Sequence, residues 1–258
     1  MELRFFDSHA HLNNPKFSED AAVVRQQAQD GGVTALLNAG YDLSSSALAM
    51  KQASELEGVW ASVGMHPHDA KDYDEEAEGL FREWAKNPKV VAIGEIGLDY
   101  YYEHSPRETQ RAVFIRQMIL AKELGKPIII HDRDAHGEVL ELVQEHGKGL
   151  TGVFHCYSGS KEFAQEVLKL GFYVSFAGPI TYKNAKNLKE AAQSVPLNRI
   201  LIETDCPYLT PEPFRGKRNE PLYVKKVAEE IARLRNISVE EVANHTFENT
   251  CRLFGIKL

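Results

Sequence analysis

Short apolar runs rich in β-branched residues alternate along this chain with longer stretches whose apolar positions recur every three or four residues. The runs predict strands over residues 3–7, 33–38, 59–64, 90–95, 127–131, 152–155, 172–176 and 200–203. The three-and-four spacing predicts intervening helices, among them 19–30, 76–86, 108–124 and 185–194. In the third of these, Val113, Gln117, Leu120 and Leu124 share one face. Gly31-Gly32, Asn87-Pro88, Gly125-Lys126-Pro127 and Gly171 punctuate the pattern as turns. Residues 224–254 predict two further helices broken near Asn236-Ile237-Ser238, with Ser238 as cap and Glu241 at the capping-box position. Strands that each lead into a helix predict an α/β chain closing into a (β/α)8 TIM barrel. No linker or charge block divides the chain, so residues 1–258 form one domain. An open doubly wound sheet is the alternative. It fits less well, because polar His9 and His11 follow the first strand where that fold needs a glycine-rich phosphate turn.

The polar residues then fall into order. His9 and His11 follow the first strand, Glu95 ends the fourth, His131 the fifth, His155 the sixth, and Asp205 follows the eighth. Those are the carboxyl ends of the strands, the barrel face that carries catalysis. The spacing of His9 and His11 puts both imidazoles on one side of extended backbone. A single histidine of this kind reads as a surface or satisfied core residue. Four histidines and two acids at the same end read as a metal site. Six ligands exceed what one catalytic zinc takes, which is three plus water, and suit two divalent ions. On this reading His9, His11 and Asp205 hold one ion, His131 and His155 hold the other, and Glu95 bridges them. Two carboxylates against two dications leave the site near +2 (about), which favours an anionic substrate. Paired ions about 3.5–4 Å apart can activate a water and hold the oxygens of a phosphoryl displacement.

Composition narrows the partners. The chain has 258 residues with Asp+Glu 37 against Lys+Arg 30, a net charge of −7, and it is 43% hydrophobic and 26% charged. That is globular composition and excludes a disordered chain. The acidic balance argues against wholesale electrostatic binding to nucleic acid or membrane, leaving room for a local phosphate site. No apolar run is long enough to span a bilayer, no signal peptide is visible, and three cysteines, Cys156, Cys206 and Cys251, make no disulfide framework. The expectation is a reduced, cytoplasmic monomer with no obligate protein partner.

Seven motifs carry a family resemblance: Asp7-Ser8-His9-Ala10-His11-Leu12, Gly64-Met65-His66-Pro67, Gly94-Glu95-Ile96-Gly97-Leu98-Asp99-Tyr100, His131-Asp132-Arg133-Asp134-Ala135, His155-Cys156-Tyr157-Ser158-Gly159, Glu203-Thr204-Asp205-Cys206-Pro207-Tyr208-Leu209 and Arg215-Gly216-Lys217-Arg218-Asn219-Glu220-Pro221. In this order, and across nearly the whole chain, the sequence resembles the TatD-type metal-dependent hydrolases. The resemblance implies a barrel, a divalent-metal site and deoxyribonuclease activity, generally from the 3′ end of single strands. It also implies the ligand set His9, His11, Glu95, His131, His155 and Asp205. The metal would be Mg2+, Mn2+ or Zn2+, since mixed imidazole–carboxylate ligation tolerates several ions.

Further roles follow from residue chemistry. Asp205 can both ligate and take a proton from water, alongside Glu95 as a catalytic carboxylate. His66, in a Gly-x-His-Pro turn, either touches a substrate phosphate or the leaving oxygen or makes a structural hydrogen bond. Arg218 and Lys217, in the one dense basic loop after a strand end, offer phosphate contacts, with Asn219 and Glu220 to orient the arginine. The alternative for that loop is solvated charge. Tyr100, Tyr101 and Tyr102 can stack a base or pack against loops. Asp7 and Glu203 are candidate partners of the ligating imidazoles. His68, His104, His136, His146 and His245 read as surface or capping residues, and Cys156 and Cys206 as packing. The competing functions are a carbonyl hydrolase, amidohydrolase-like or acting on aminoacyl-tRNA esters, and a barrel that keeps its ligands without catalysis. Against the first, no lysine lies between Val90 and Tyr100, where many two-metal amidohydrolases carry a bridging one.

Overall fold

In the computed structural model, which describes residues 3–257, the apolar runs become eight parallel strands. They are β1 (Phe5–Ala10), β2 (Val33–Ala39), β3 (Val59–Val63), β4 (Val90–Asp99), β5 (Ile128–Arg133), β6 (Gly152–Phe154), β7 (Tyr173–Phe176) and β8 (Ile200–Ile202). Their order in the sheet follows their order in the chain, which excludes the doubly wound alternative, where the order reverses. The helices are α1 (Ala21–Asp30), α2 (Leu43–Glu55), α3 (Glu75–Trp84), α4 (Arg107–Leu124), α5 (His136–His146), α6 (Lys161–Lys169), α7 (Lys186–Ser194), α8 (Val224–Arg235) and α9 (Val239–Phe254). The seam between β8 and β1 is held from both sides. Asp7 accepts from the Thr204 amide (2.9 Å) and hydroxyl (2.5 Å), Asp205 N donates to His9 O, and His11 N donates to Cys206 O, both at 2.9 Å. The result is a nearly closed (β/α)8 barrel.

Helix ends follow local chemistry. Asp42 and Ser45 make a reciprocal capping box on α2, and Asp74 and Ser160 cap α3 and α6. Ser238 accepts from Glu241 N at 3.1 Å, so the expected cap on α9 is present. α4 ends on Gly125 at φ 63°, a left-handed position that glycine adopts without Cβ strain.

Two strand ends lie three or more residues beyond their predicted positions. β1 runs to Ala10 instead of 7, because the seam bonds to 204–206 keep it extended. β4 runs to Asp99 instead of 95, because Gly97, Leu98 and Asp99 pair with His131, Asp132 and Arg133. Gly97 allows this approach: a Cβ there would fall 2.0 Å from the His131 carbonyl oxygen.

The core has two layers. Outside the strands, residues such as Leu36, Ile93 and Phe154 pack against Val24, Phe81, Phe114 and Val167 of the surrounding helices. Inside the barrel, Phe6, Ile129 and Tyr173, near the amino ends of their strands, cluster with Leu37, Val153 and Leu201 and with Phe247, Leu253 and Phe254 of α9 and Ile256 beyond it. The last helix thus plugs the barrel floor and leaves the opposite rim open. Phe247 lies edge-on to Phe6 with centroids 5.7 Å apart. Phe247→Ala should therefore cost about 3 kcal/mol of stability and lower Tm by roughly 6–12 °C, measurable by calorimetry. A drop of less than about 2 °C would remove the plug role.

Candidate metal centre

At the open rim one buried carboxylate, Glu95, is ringed by five imidazoles. Its Oε1 lies 2.7 Å from His131 Nδ1, 2.8 Å from His155 Nε2 and 3.4 Å from His66 Nε2. Its Oε2 lies 3.4 Å from His9 Nε2 and 3.6 Å from His11 Nε2. Asp205 Oδ1 completes the second group at 3.3 Å from His11 Nε2 and 3.8 Å from His9 Nε2. Asp205 takes φ 55°, a left-handed backbone that few non-glycine residues adopt. The six residues singled out as ligands in the sequence thus meet in one cluster, with Glu95 presenting a different oxygen to each half.

Hydrogen bonds on the far side of each ring set which nitrogen faces the cluster with a lone pair. His11 Nδ1–H donates to Ala39 O (3.0 Å), His155 Nδ1–H to Glu203 Oε1 (3.3 Å), and His131 Nε2–H to Asp99 Oδ2 (3.0 Å). In its neutral form each therefore turns an unprotonated nitrogen inward, Nε2 of His11 and His155 and Nδ1 of His131, and without an ion the Glu95 and Asp205 carboxylates favour a proton there instead. His66 is the reverse. Its Nδ1 accepts the His68 backbone N–H at 3.1 Å, so Nε2 carries the proton and points at Glu95. His66 is a donor in this cluster.

The donor spacing fits a cation. His9 Nε2 and His11 Nε2 are 3.1 Å apart, and each lies 3.3–3.8 Å from Glu95 Oε2 and from Asp205 Oδ1. A tetrahedron with metal–ligand bonds of about 2.1 Å has edges of about 3.4 Å. Inward lone pairs at that spacing repel each other without a positive charge between them. Three groups of residues have the spacing to hold an ion: His9, His11 and Asp205; His66, Glu95 and His131; and His9, His155 and Glu203. In the second the inward Nε2–H of His66 stands where a lone pair is needed. The third contains two buried atoms without a partner, His9 Nδ1 and Glu203 Oε2.

The two carboxylates of the cluster are held ionised, and they in turn raise the His11, His131 and His155 imidazoles, so an ion bound there takes the place of protons. Burial opposes ionisation of Glu95, but the His155, His66 and His131 imidazoles hold its carboxyl well below the usual range. Burial likewise works against Asp205, and His11 and His9 outweigh it. Burial, reinforced by His131, pushes His66 down to about 3, so its imidazole is neutral at pH 7.

The cluster floors a cleft of about 750 Å³, whose walls include Tyr41, Asp99, Tyr102, Arg133, Tyr157 and Tyr208. Several residues stand elsewhere than the sequence reading put them. Arg218 donates to both oxygens of Asp20 (3.0 and 2.7 Å), to Glu220 (3.0 Å) and to Lys16 O, stacked over Phe17. Its fork is committed to the fold, with Glu220 orienting it as expected. Asn219 instead binds Thr204 O and Tyr208 O. Tyr100 donates to Glu138 at 2.5 Å, under Arg107. The Lys217 ammonium lies over Phe214. Among the described residues, the cleft wall includes none of Arg218, Lys217 and Tyr100.

Asp7 contacts Thr204 and no imidazole, whereas Glu203 does meet His155 and the Cys156 amide (2.7 Å). Cys206 packs in the outer core, but Cys156, at φ 43°, turns into the cleft. His68 and His104, expected on the surface, line the cleft. His68 Nε2 lies 2.9 Å from Asp99 Oδ2, the oxygen that also receives His131. His136 bonds Asp132 at 2.7 Å. Asp99 is the main residue missed. Its signal was present, since strand alternation carries the Glu95 face through Gly97 to Asp99.

Comparison with known proteins places these features in a lineage. A family model described as TatD related DNase matches residues 6–255. The uncharacterized metal-dependent hydrolase YabD of Bacillus subtilis is 48% identical over 252 residues, covering 97% of this chain and 99% of that protein. The 3′-5′ ssDNA/RNA exonuclease TatD of Klebsiella pneumoniae is 35% identical, covering 97% and 98%. The crystal structure of YJJV, a TatD homolog from Escherichia coli, superposes with a TM-score of 0.93 at 29% identity over the full length of both chains.

Proposed function

From the premise that this chain belongs to the TatD-related family of metal-dependent hydrolases, we propose that it is a phosphodiesterase releasing nucleotides from the 3′ end of single-stranded DNA, with two divalent ions at the rim. The observation carrying the two-ion reading is Glu95, whose oxygens face separate histidine sets. His9, His11 and Asp205 would hold one ion, His131 and His155 the other, with Glu95 between them. Ions bound there supply Lewis acidity at a phosphoryl oxygen and lower the pKa of water. The protein's own groups do the rest. Asp205, ionised between two imidazoles, accepts the proton of the attacking water. His66, neutral with Nε2–H inward, donates to a phosphate or leaving oxygen.

The test is digestion of 5′- and 3′-labelled single-stranded oligonucleotides in Mg2+, Mn2+ and Zn2+ and in EDTA. The expected result is stepwise loss from the 3′ end, abolished by EDTA and restored by metal. Intact 3′ ends in every metal would refute it, and turnover of an aminoacyl-tRNA or a lactone instead would make the chain a carbonyl hydrolase.

A further inference from the structure

Among the described residues, Arg133, the last residue of β5, is the only lysine or arginine in the cleft wall, and its guanidinium meets no protein acceptor. It lies 4.2 Å from the centroid of Tyr101 and 4.7 Å from that of Tyr102. Both rings stand out toward solvent, 59% and 49% exposed. Tyr102 is nearly parallel to His104, at 9° and 5.5 Å between centroids. This shelf is fixed to the catalytic floor by one carboxylate. Asp99 Oδ1 accepts the amides of Tyr101 (3.1 Å) and Tyr102 (2.9 Å), while its Oδ2 accepts from His131 (3.0 Å). A free planar fork beside exposed aromatic faces is the chemistry that grips an unpaired nucleotide: the fork takes phosphate oxygens and a ring takes the base. In a duplex the base faces are covered by their neighbours. Arg218, by contrast, has its donors filled by Asp20 and Glu220.

We propose that Arg133 and Tyr102 form the subsite for the nucleotide adjoining the scissile linkage, with the guanidinium moving off the ring onto its phosphate and the Tyr102 face so uncovered taking its base. This subsite selects single strands. The inference rests on the phosphodiesterase reading and adds a specificity determinant to it.

The experiment compares kcat/KM of the metal-loaded enzyme for a single-stranded oligonucleotide with that for bis(p-nitrophenyl) phosphate, which has no neighbouring nucleotide. In Arg133→Ala and Tyr102→Leu the ratio of the two should fall about tenfold or more, carried by KM for the oligonucleotide. An abasic site next to the 3′ nucleotide should cancel the Tyr102→Leu loss and keep the Arg133→Ala loss. If the parent digests the oligonucleotide and both variants keep its ratio within twofold, the shelf is overturned and the phosphodiesterase reading stands. If the parent hydrolyses bis(p-nitrophenyl) phosphate but no oligonucleotide in any metal, the nuclease reading falls and the shelf with it.

Discussion

Glu95→Gln is expected to lower kcat/KM by about a thousandfold and to strip metal from both halves of the centre. The substitution keeps shape and volume, so any effect comes from charge. In the parent, one buried anion lies within 3.6 Å of nitrogens from His9, His11, His66, His131 and His155. A neutral amide leaves those imidazoles around a site with half its carboxylate charge. It also turns an NH2 toward one of the two halves, where a donor meets either an inward lone pair or a cation. Metal content per chain and steady-state kinetics on the same preparation decide the matter. A variant that kept a full metal complement and activity within tenfold of the parent would overturn the bridging place proposed for Glu95.

The second large effect is expected from Asp99→Asn, about 10–100-fold in metal affinity or kcat. Asp99 is fully buried and gives one oxygen to His131 and His68 and the other to two backbone amides. As an ionised acceptor it keeps the His131 proton on Nε2, leaving Nδ1 free for the centre. Asparagine can turn its NH2 to that position and force the opposite tautomer. Burial disfavours its charge, but His131, His68 and the Tyr102 amide outweigh this and hold the carboxyl far below 3.8. A carboxyl depressed in the folded state stabilises the fold fully above its unfolded value and loses that contribution as pH falls below it. In the metal-free protein, the stability gap between parent and Asp99→Asn should therefore be widest near neutrality and shrink as the pH drops below about 4. Urea unfolding across that range measures it. A gap that widened toward acid would contradict the charge assignment.

The sequence disclosed the barrel because period-two runs and period-three-to-four stretches alternate cleanly, and it disclosed the six cluster residues because each sits at or just past a strand's carboxyl end. It did not disclose where β4 stops. The apolar run ends at Glu95, and with the strand cut there the Asp99 carboxylate had no face to belong to. Nor could it tell which arginine is free. Arg218 stands in a denser basic run than Arg133, but its partner Asp20 lies 198 residues away along the chain, a distance no local pattern spans. His68 was passed over for the same reason: its partner Asp99 comes from another strand's end.

The seam at Asp7 and Thr204 joins positions 197 residues apart. At roughly 5–20 residues per second, a ribosome needs about 10–40 s to deliver the second after the first. Throughout that interval a nascent β1 has a bare edge of amides and carbonyls, the kind of template that recruits other chains. Newly made molecules should thus depend on chaperone shielding during translation far more than their finished, nearly closed form would suggest.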